Sequence, residues 1–260
     1  MPRVFYGPFS SQYATHAEPA GGNCGLFPLG TKLVLPDERE FRYSLNDGTV
    51  EVAGNLYEAT VPDTAHGGST TAIACDVARA IGATAISATL GASAAAVDLY
   101  SEGVIHINVG SGLGYGYRIR RAIAAGQAHA AVLSSGIITV NLEPGESVQV
   151  ALAATTTEVT LNRNRHHAIL IHPASDPTGQ LAGISPGVCA ADRYYYAQFK
   201  GVAAVLFAAS VLNDDVAVAS TGTAGAVMPS AAIETDGPAV GVCARIASAA
   251  EYGLLNLDIV

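Results

Sequence analysis

Three stretches of this sequence carry residue types that could do chemistry. The first, NVGSGLGYGYRIR at residues 108–120, follows the apolar run VIHI, in the order in which a strand precedes a phosphate-cradling turn. A dinucleotide fingerprint needs glycines at i, i+2 and i+5, opening a helix. From Gly110 the i+5 residue is Tyr115, and from Gly112 it is Tyr117, so the spacing fails. Tyr115, Tyr117 and Ile119 then alternate as a strand does. The cluster reads as a hairpin whose glycines take positive φ. No nucleotide cofactor is expected.

The second stretch, Gly183-Ile184-Ser185-Pro186-Gly187, fits the hydrolase pattern G-x-S-x-G. There the residue after the nucleophile lends its backbone N–H to the oxyanion, and Pro186 has none. Losing one such donor costs about 3 kcal/mol of transition-state stabilisation, so a Pro-Gly turn with an exposed serine is expected. The third stretch, Arg165 to His172, holds His166, His167 and His172. On a strand His166 and His172 share a face while His167 takes the other. As a helix the stretch misses the i, i+4 zinc spacing. A solvated basic strand end without metal is expected. His106 sits between isoleucines and reads as a surface or core histidine, and Asp176, Asp214 and Asp215 sit at turns. No carboxylate pair stands out for glycosidase work. No catalytic residue, cofactor or metal ligand is expected.

Composition points the same way. Of 260 residues half are hydrophobic, many of them alanine, and only 13% are charged, about half the usual share. So few charges cover an isolated monomer poorly, and self-association is expected. A net charge of −9 repels nucleic acid. The N-terminus lacks the apolar core of a signal peptide, and the longest apolar run, residues 201–212, is too short for a bilayer. A soluble protein made in the cytoplasm, without a membrane partner, is expected. Cys24, Cys75, Cys189 and Cys243 lie far apart and read as reduced, mostly buried thiols.

The elements around these residues alternate with period 2, for example Val104–Ile107, Glu158–Leu161, Ala203–Phe207 and Leu254–Leu257, with turn residues between. Residues 49–52, 115–119 and 147–152 also read as strands. The pattern predicts an all-β chain, an antiparallel β-sandwich or barrel-like fold. Thr71–Ala80 could make two or three helical turns, and an irregular Ala-rich connection fits equally. Residues 1–45, rich in Gly and Pro, predict an extended N-terminal arm whose Phe5, Phe9, Tyr13, Phe27 and Phe41 anchor on a partner, with packing on the chain's own β body as the alternative. A first β domain over 46–175 and a second β region over 176–260, able to pack with the first, follow from the Pro- and Gly-rich stretch at 172–187. Tyr194-Tyr195-Tyr196-Ala197-Gln198-Phe199 places Tyr195 and Phe199 on one face of a strand. Both faces demand burial, in the core or, for Tyr194, Tyr196 and Gln198, against another copy.

Two patches carry a resemblance. One is Asp98 to Ile107 followed by Gly112 to Ile119. The other is Tyr195 to Gly201, then Gly222-Thr223-Ala224-Gly225-Ala226-Val227 and Ala239-Val240-Gly241-Val242. This layout resembles the structural proteins of tailed bacteriophages, especially those that decorate or cement the capsid. The resemblance covers roughly residues 49–260 and rests on loose Gly/Ala/Val patterns. It implies a β-rich, non-enzymatic virion protein that binds the major capsid protein on the capsid exterior, often as a homotrimer. The unperiodic first 45 residues also leave open a tail or head-fibre receptor binder of carbohydrate, a reading the lack of Trp weakens. The major shell subunit is not expected, because the long spine helix of that fold has no counterpart here. The chain's acidity suits an outer surface better than one facing packaged DNA.

Overall fold

The computed structural model describes residues 4–17, 25–67, 73–230 and 238–259. Among them the chain is all-β and sandwich-like, with several antiparallel sheets and no α-helix. Strands β1 (Val4–Tyr6), β2 (His16–Ala17), β3 (Lys32–Val34), β4 (Glu40–Leu45) and β5 (Leu56–Glu58) come first. Next are β6 (Ile73–Ala74), β7 (Ala85–Thr89), β8 (Val104–Val109), β9 (Gly116–Arg118), β10 (Ile137–Asn141) and β11 (Glu158–Asn162). Then come β12 (Leu170–Ile171), β13 (Leu181–Ile184), β14 (Arg193–Leu206) and β15 (Val216–Ala219). The chain closes with β16 (Val227–Pro229), β17 (Ala239–Arg245) and β18 (Tyr252–Asp258).

Two compact units form. One combines residues 4–17, Gly25–Val61 and 165–259, and the other is built by Pro62–Asn164 between them in sequence. The boundaries therefore fall at 61/62 and 164/165 rather than at 45/46 and 175/176. The Pro- and Gly-rich stretch at 172–187 lies inside the first unit, where it contains β13.

The first unit is one 12-stranded sheet with the path β1-β3-β4-β14-β18-β17-β15-β16, joined by β2, β5, β12 and β13. Strand β14 organises it. Its first half pairs with β4, from Tyr194 opposite Leu45 to Lys200 opposite Glu40. Its second half pairs with β18, from Lys200 opposite Asp258 to Leu206 opposite Tyr252. The exchange of partner occurs at a bulge, where register shifts between Gln198 and Lys200 and Gly201 takes φ 82°. The Gln198 amide donates there to the Lys200 and Val202 carbonyls at 3.1 and 2.9 Å. An amide with two N–H groups satisfies carbonyls that a bulge takes out of the ladder.

Both faces of the first half of β14, Tyr194–Gln198, are covered within the unit. Tyr194 and Tyr196 pack with Leu33, Leu35, Phe41 and Tyr43, the Tyr43 ring stacked on Tyr194 at 5.4 Å. Tyr195 and Ala197 pack on Tyr57, Ile169 and Cys189. Burying such a side chain is worth about 2–3 kcal/mol, which fixes residues 32–45 in the sheet. The arm expected over 1–45 is thus corrected: β1, β3 and β4 are sheet strands, and residues 18–24 lie outside the described residues. The alternation Leu33/Leu35 and Phe41/Tyr43/Leu45 was masked by the charges between, of which Lys32 and Glu40 form an ion pair at 2.7 Å.

In the second unit β7 pairs with β10, and β6-β11-β8-β9 form a second sheet. Alternate residues Ile105 and Ile107 of β8 and Val159 and Leu161 of β11 enter one core with Ile86 and Ile138. The glycine cluster is the expected hairpin: Ile105 lies opposite Tyr117, and Gly110, Gly112 and Gly114 take φ of 83°, 83° and 85°. Across 73–80 the chain is strand β6 and isolated bridges from Cys75 and Arg79, not helix. Residues 71–72 lie outside the described residues. Residues 49–52 and 147–152 contribute only single bridges, at Glu51 and Leu152, instead of strands.

Candidate functional site

The five expected anchors separate. Phe41 is fully buried in the unit's own core, and Phe27 packs against it, edge-on to Tyr43 at 5.5 Å. Neither is available to a partner. Phe5, Phe9 and Tyr13 stay exposed, at 40%, 51% and 61%. Tyr194, Tyr196 and Gln198, expected at a contact between copies, are 1–2% exposed in the monomer and are corrected to core and bulge residues. Two-sided burial was legible; that the chain supplies both covers itself was not.

The histidines expected at a solvated strand end are buried as well. His166 Nδ1 lies 3.1 Å from the Ser44 hydroxyl. Burial, helped by Arg165 and Arg42, pushes its pKa down to about 3 and keeps it neutral. His172 Nδ1 lies 2.9 Å from Glu58 Oε2, and its Nε2 lies 3.1 Å from the Ser220 carbonyl. Glu58 Oε1 also accepts from the Thr178 hydroxyl and the Thr178 and Gly179 amides. A carbonyl only accepts, so Nε2 is the donor to Ser220. In the second unit, His129 receives the Tyr100 N–H on Nε2 and faces the Ala130 carbonyl through Nδ1, which defines a neutral tautomer. His66 joins the Tyr100 hydroxyl to the Ser93 carbonyl. Asp98 accepts from the amides of Gly126, Ala128 and His129. These groups hold loops, and none lines the cleft described next.

That cleft, about 610 Å³, lies in the first unit. Its floor comes from the outer face of β14 and β18, where Val202, Ala204, Tyr252 and Leu254 point outward, and its sides from the turns at 52–54 and 184–188. Tyr13, at the end of the short 3-10 turn Phe9–Tyr13, joins it with Gln12 and Arg39. The volume falls in the range of small-ligand sites. Ser185, expected exposed, is fully buried and donates to the Gly187 carbonyl at 2.6 Å. Its hydroxyl thus closes its own turn instead of acting as a nucleophile. A smaller cleft of about 140 Å³ shares Gln12, Tyr13, Pro186 and Val188 and reaches Cys189 and Tyr195.

Glu51 lies 1% exposed near these clefts, bridged through its backbone to Cys189. Burial pushes its pKa up to about 8, with the nearby Asp47 charge adding to the rise. The carboxyl is therefore a neutral acid at physiological pH. The same burial pushes the Cys189 thiol up to about 12, which makes it a poor nucleophile. Among the described residues no group of three or more His, Cys, Asp or Glu is placed to hold a metal ion.

Tyr252 and Arg39 escaped sequence reasoning. Extending the alternation of β18 two residues toward the N-terminus would have placed Tyr252 on the outer face. Arg39 carried no signal, because its position depends on the β3–β4 turn. No family model, curated protein or solved structure matches the chain.

Proposed function

We propose that the chain is a non-enzymatic structural subunit of a tailed bacteriophage, bound to the major capsid protein on the capsid exterior and reinforcing the shell. The observation that supports it most is the apolar edge of the first unit. Strand β1 is the end of the sheet path, paired on one side with β3. Its Val4, Phe5 and Tyr6 are 44%, 40% and 77% exposed, followed by Phe9 at 51%. Such an edge offers backbone groups for strand addition and rings for burial. Phe5 stacks on Phe27 at 6.0 Å, so the edge is formed before it meets a partner, which lowers the ordering cost of binding. The engagement of buried His66, His129, His172 and Asp98 in loop contacts favours a scaffold over a catalyst. No helix among the described residues is long and apolar enough to cross a membrane.

Co-sedimentation with assembled particles tests the attachment. The wild-type chain is expected to pellet with particles, while Tyr6→Asp combined with Phe9→Asp keeps its strand spectrum and stays in the supernatant. Wild-type protein that never pellets overturns the reading. We further place the protein as a homotrimer, on the strength of the resemblance and the low charge. Sedimentation equilibrium is then expected to give three times the 26.4 kDa chain mass.

A further inference from the structure

We propose that the cleft lined by Tyr13, Tyr252 and Arg39 binds an acidic saccharide, a pyranose carrying a carboxylate. The inference goes beyond capsid attachment and does not rest on it, since Val4, Phe5, Tyr6 and Phe9 do not line the cleft.

Ring placement is the first argument. Tyr252 is 51% exposed, yet a Cβ on Gly54 would come within 2.6 Å of its Cε1. The ring therefore rests on the glycine backbone, whose φ of 77° already favours glycine. Tyr13, 61% exposed, lies beside Gly187, where a Cβ would meet Cδ1 at an ordinary contact distance of 3.4 Å. Each tyrosine is thus backed by a residue with no side chain and leaves ring surface open to solvent. Half-exposed rings suit the C–H face of a pyranose, which needs flat apolar area, and a tyrosine offers it with only two side-chain torsions to fix.

Charge is the second argument. In a chain of net charge −9, the one charged residue among those lining this cleft is cationic. Arg39 is held in place by its neighbours: Nε donates to Asp37 Oδ2 and Nη1 to Gln12 Oε1, both at 2.6 Å. Its guanidinium lies 5.9 Å from the Phe9 and Phe41 ring centres. Nη2 has no hydrogen bond to the described residues and remains to donate to a ligand carboxylate as a charge-assisted contact. Asp37 holds the Nε side of the guanidinium from outside the lining, which leaves the Nη2 side turned to the ligand. Gln12 lines the cleft as well, its Oε1 accepting from Arg39 and its Nε2 left to donate to a hydroxyl group.

Saturation-transfer NMR on the full chain tests this with three probes: digalacturonate, methyl glucuronide and N-acetylneuraminate. At least one is expected to bind saturably, and its carboxyl methyl ester to bind at least tenfold more weakly. Tyr252→Ala and Tyr13→Ala are each expected to weaken binding about tenfold. Arg39→Gln is expected to abolish the preference for the acid over the ester. An unchanged strand spectrum certifies each variant, and the two tyrosine variants keep the test valid if Arg39→Gln misfolds. Binding of none of the three probes, equal binding of acid and ester, or affinity for octanoate but not for the sugars overturns the proposal. Particle co-sedimentation is read separately, so either reading can fail alone.

Discussion

His172 Nδ1 lies 2.9 Å from Glu58 Oε2 with both side chains fully buried, and the pair ties together two strands 114 positions apart. Leu170 stands opposite Glu58 and Ile171 opposite Tyr57, so the strand by which the chain leaves the first unit is sealed to the one by which it returns. Glu58 further fastens Thr178 and Gly179, while His172 fastens Ser220. One buried pair thus fastens two loops, at Thr178–Gly179 and at Ser220.

Breaking that pair should be costly, because the surviving partner is left buried and uncompensated. Glu58→Ala and His172→Ala are each expected to lower stability by about 3–5 kcal/mol. Urea denaturation followed by tyrosine fluorescence checks it. A loss below about 1 kcal/mol, the value of an exposed pair, would show that the contact does not hold the strands.

Glu51 predicts a loss of stability toward alkaline pH. Its pKa rises on folding from 4.5 to about 8, so the folded chain keeps a proton that the unfolded chain has released. The raised value gives stability that is complete below pH 4.5 and is lost as pH climbs through about 8. The full effect is of order a few kcal/mol. Melting temperatures measured between pH 5 and pH 9 should fall for the wild type and flatten for Glu51→Gln. A slope that Glu51→Gln leaves unchanged counts against this origin.

His166 predicts the opposite limb. Its pKa falls on folding from 6.5 to about 3, so the unfolded chain takes up the proton first. This stability is present above pH 6.5 and is lost as pH falls toward about 3. His166→Asn should flatten acid denaturation over that window while leaving the Glu51 limb in place. Denaturant midpoints at stepped pH separate the two.

Two glycines in the second unit should respond differently to a methyl group. Gly110 and Gly126 take φ of 83° and 79°. A Cβ on Gly110 would overlap the Thr156 carbonyl oxygen, whereas one on Gly126 meets nothing within 4 Å. Gly126→Ala is expected to cost about 1 kcal/mol from backbone conformation alone. Gly110→Ala adds the steric displacement and is expected to cost about 2–3 kcal/mol. Equal losses by thermal denaturation would mean that the hairpin yields freely at Thr156.

The sequence by itself determined the all-β class, the hairpin at Gly110–Gly116 and the Pro-Gly turn after Ser185, which withholds a backbone N–H at Pro186. Each rests on local rules: period-2 alternation, positive φ at glycine and the missing N–H of proline. It also showed that the strand at Tyr194–Phe199 must be covered on both faces. What covers it was decided by tertiary structure, because the partners Phe41 and Tyr43 lie some 150 residues earlier, beyond any periodic signal. The same holds for His172 and Glu58: the stretch of three histidines reads as solvated from the sequence, while a distant carboxylate and a distant carbonyl bond both nitrogens of His172. The cleft is the extreme case. Tyr13, Arg39, Gly54 and Tyr252 come from four separate turns and strands, and only long-range pairing along β14 brings them to one place. Side-chain periodicity reports which face a residue takes, while the identity of its neighbour across the sheet is set by loop closure and register, which no local pattern encodes.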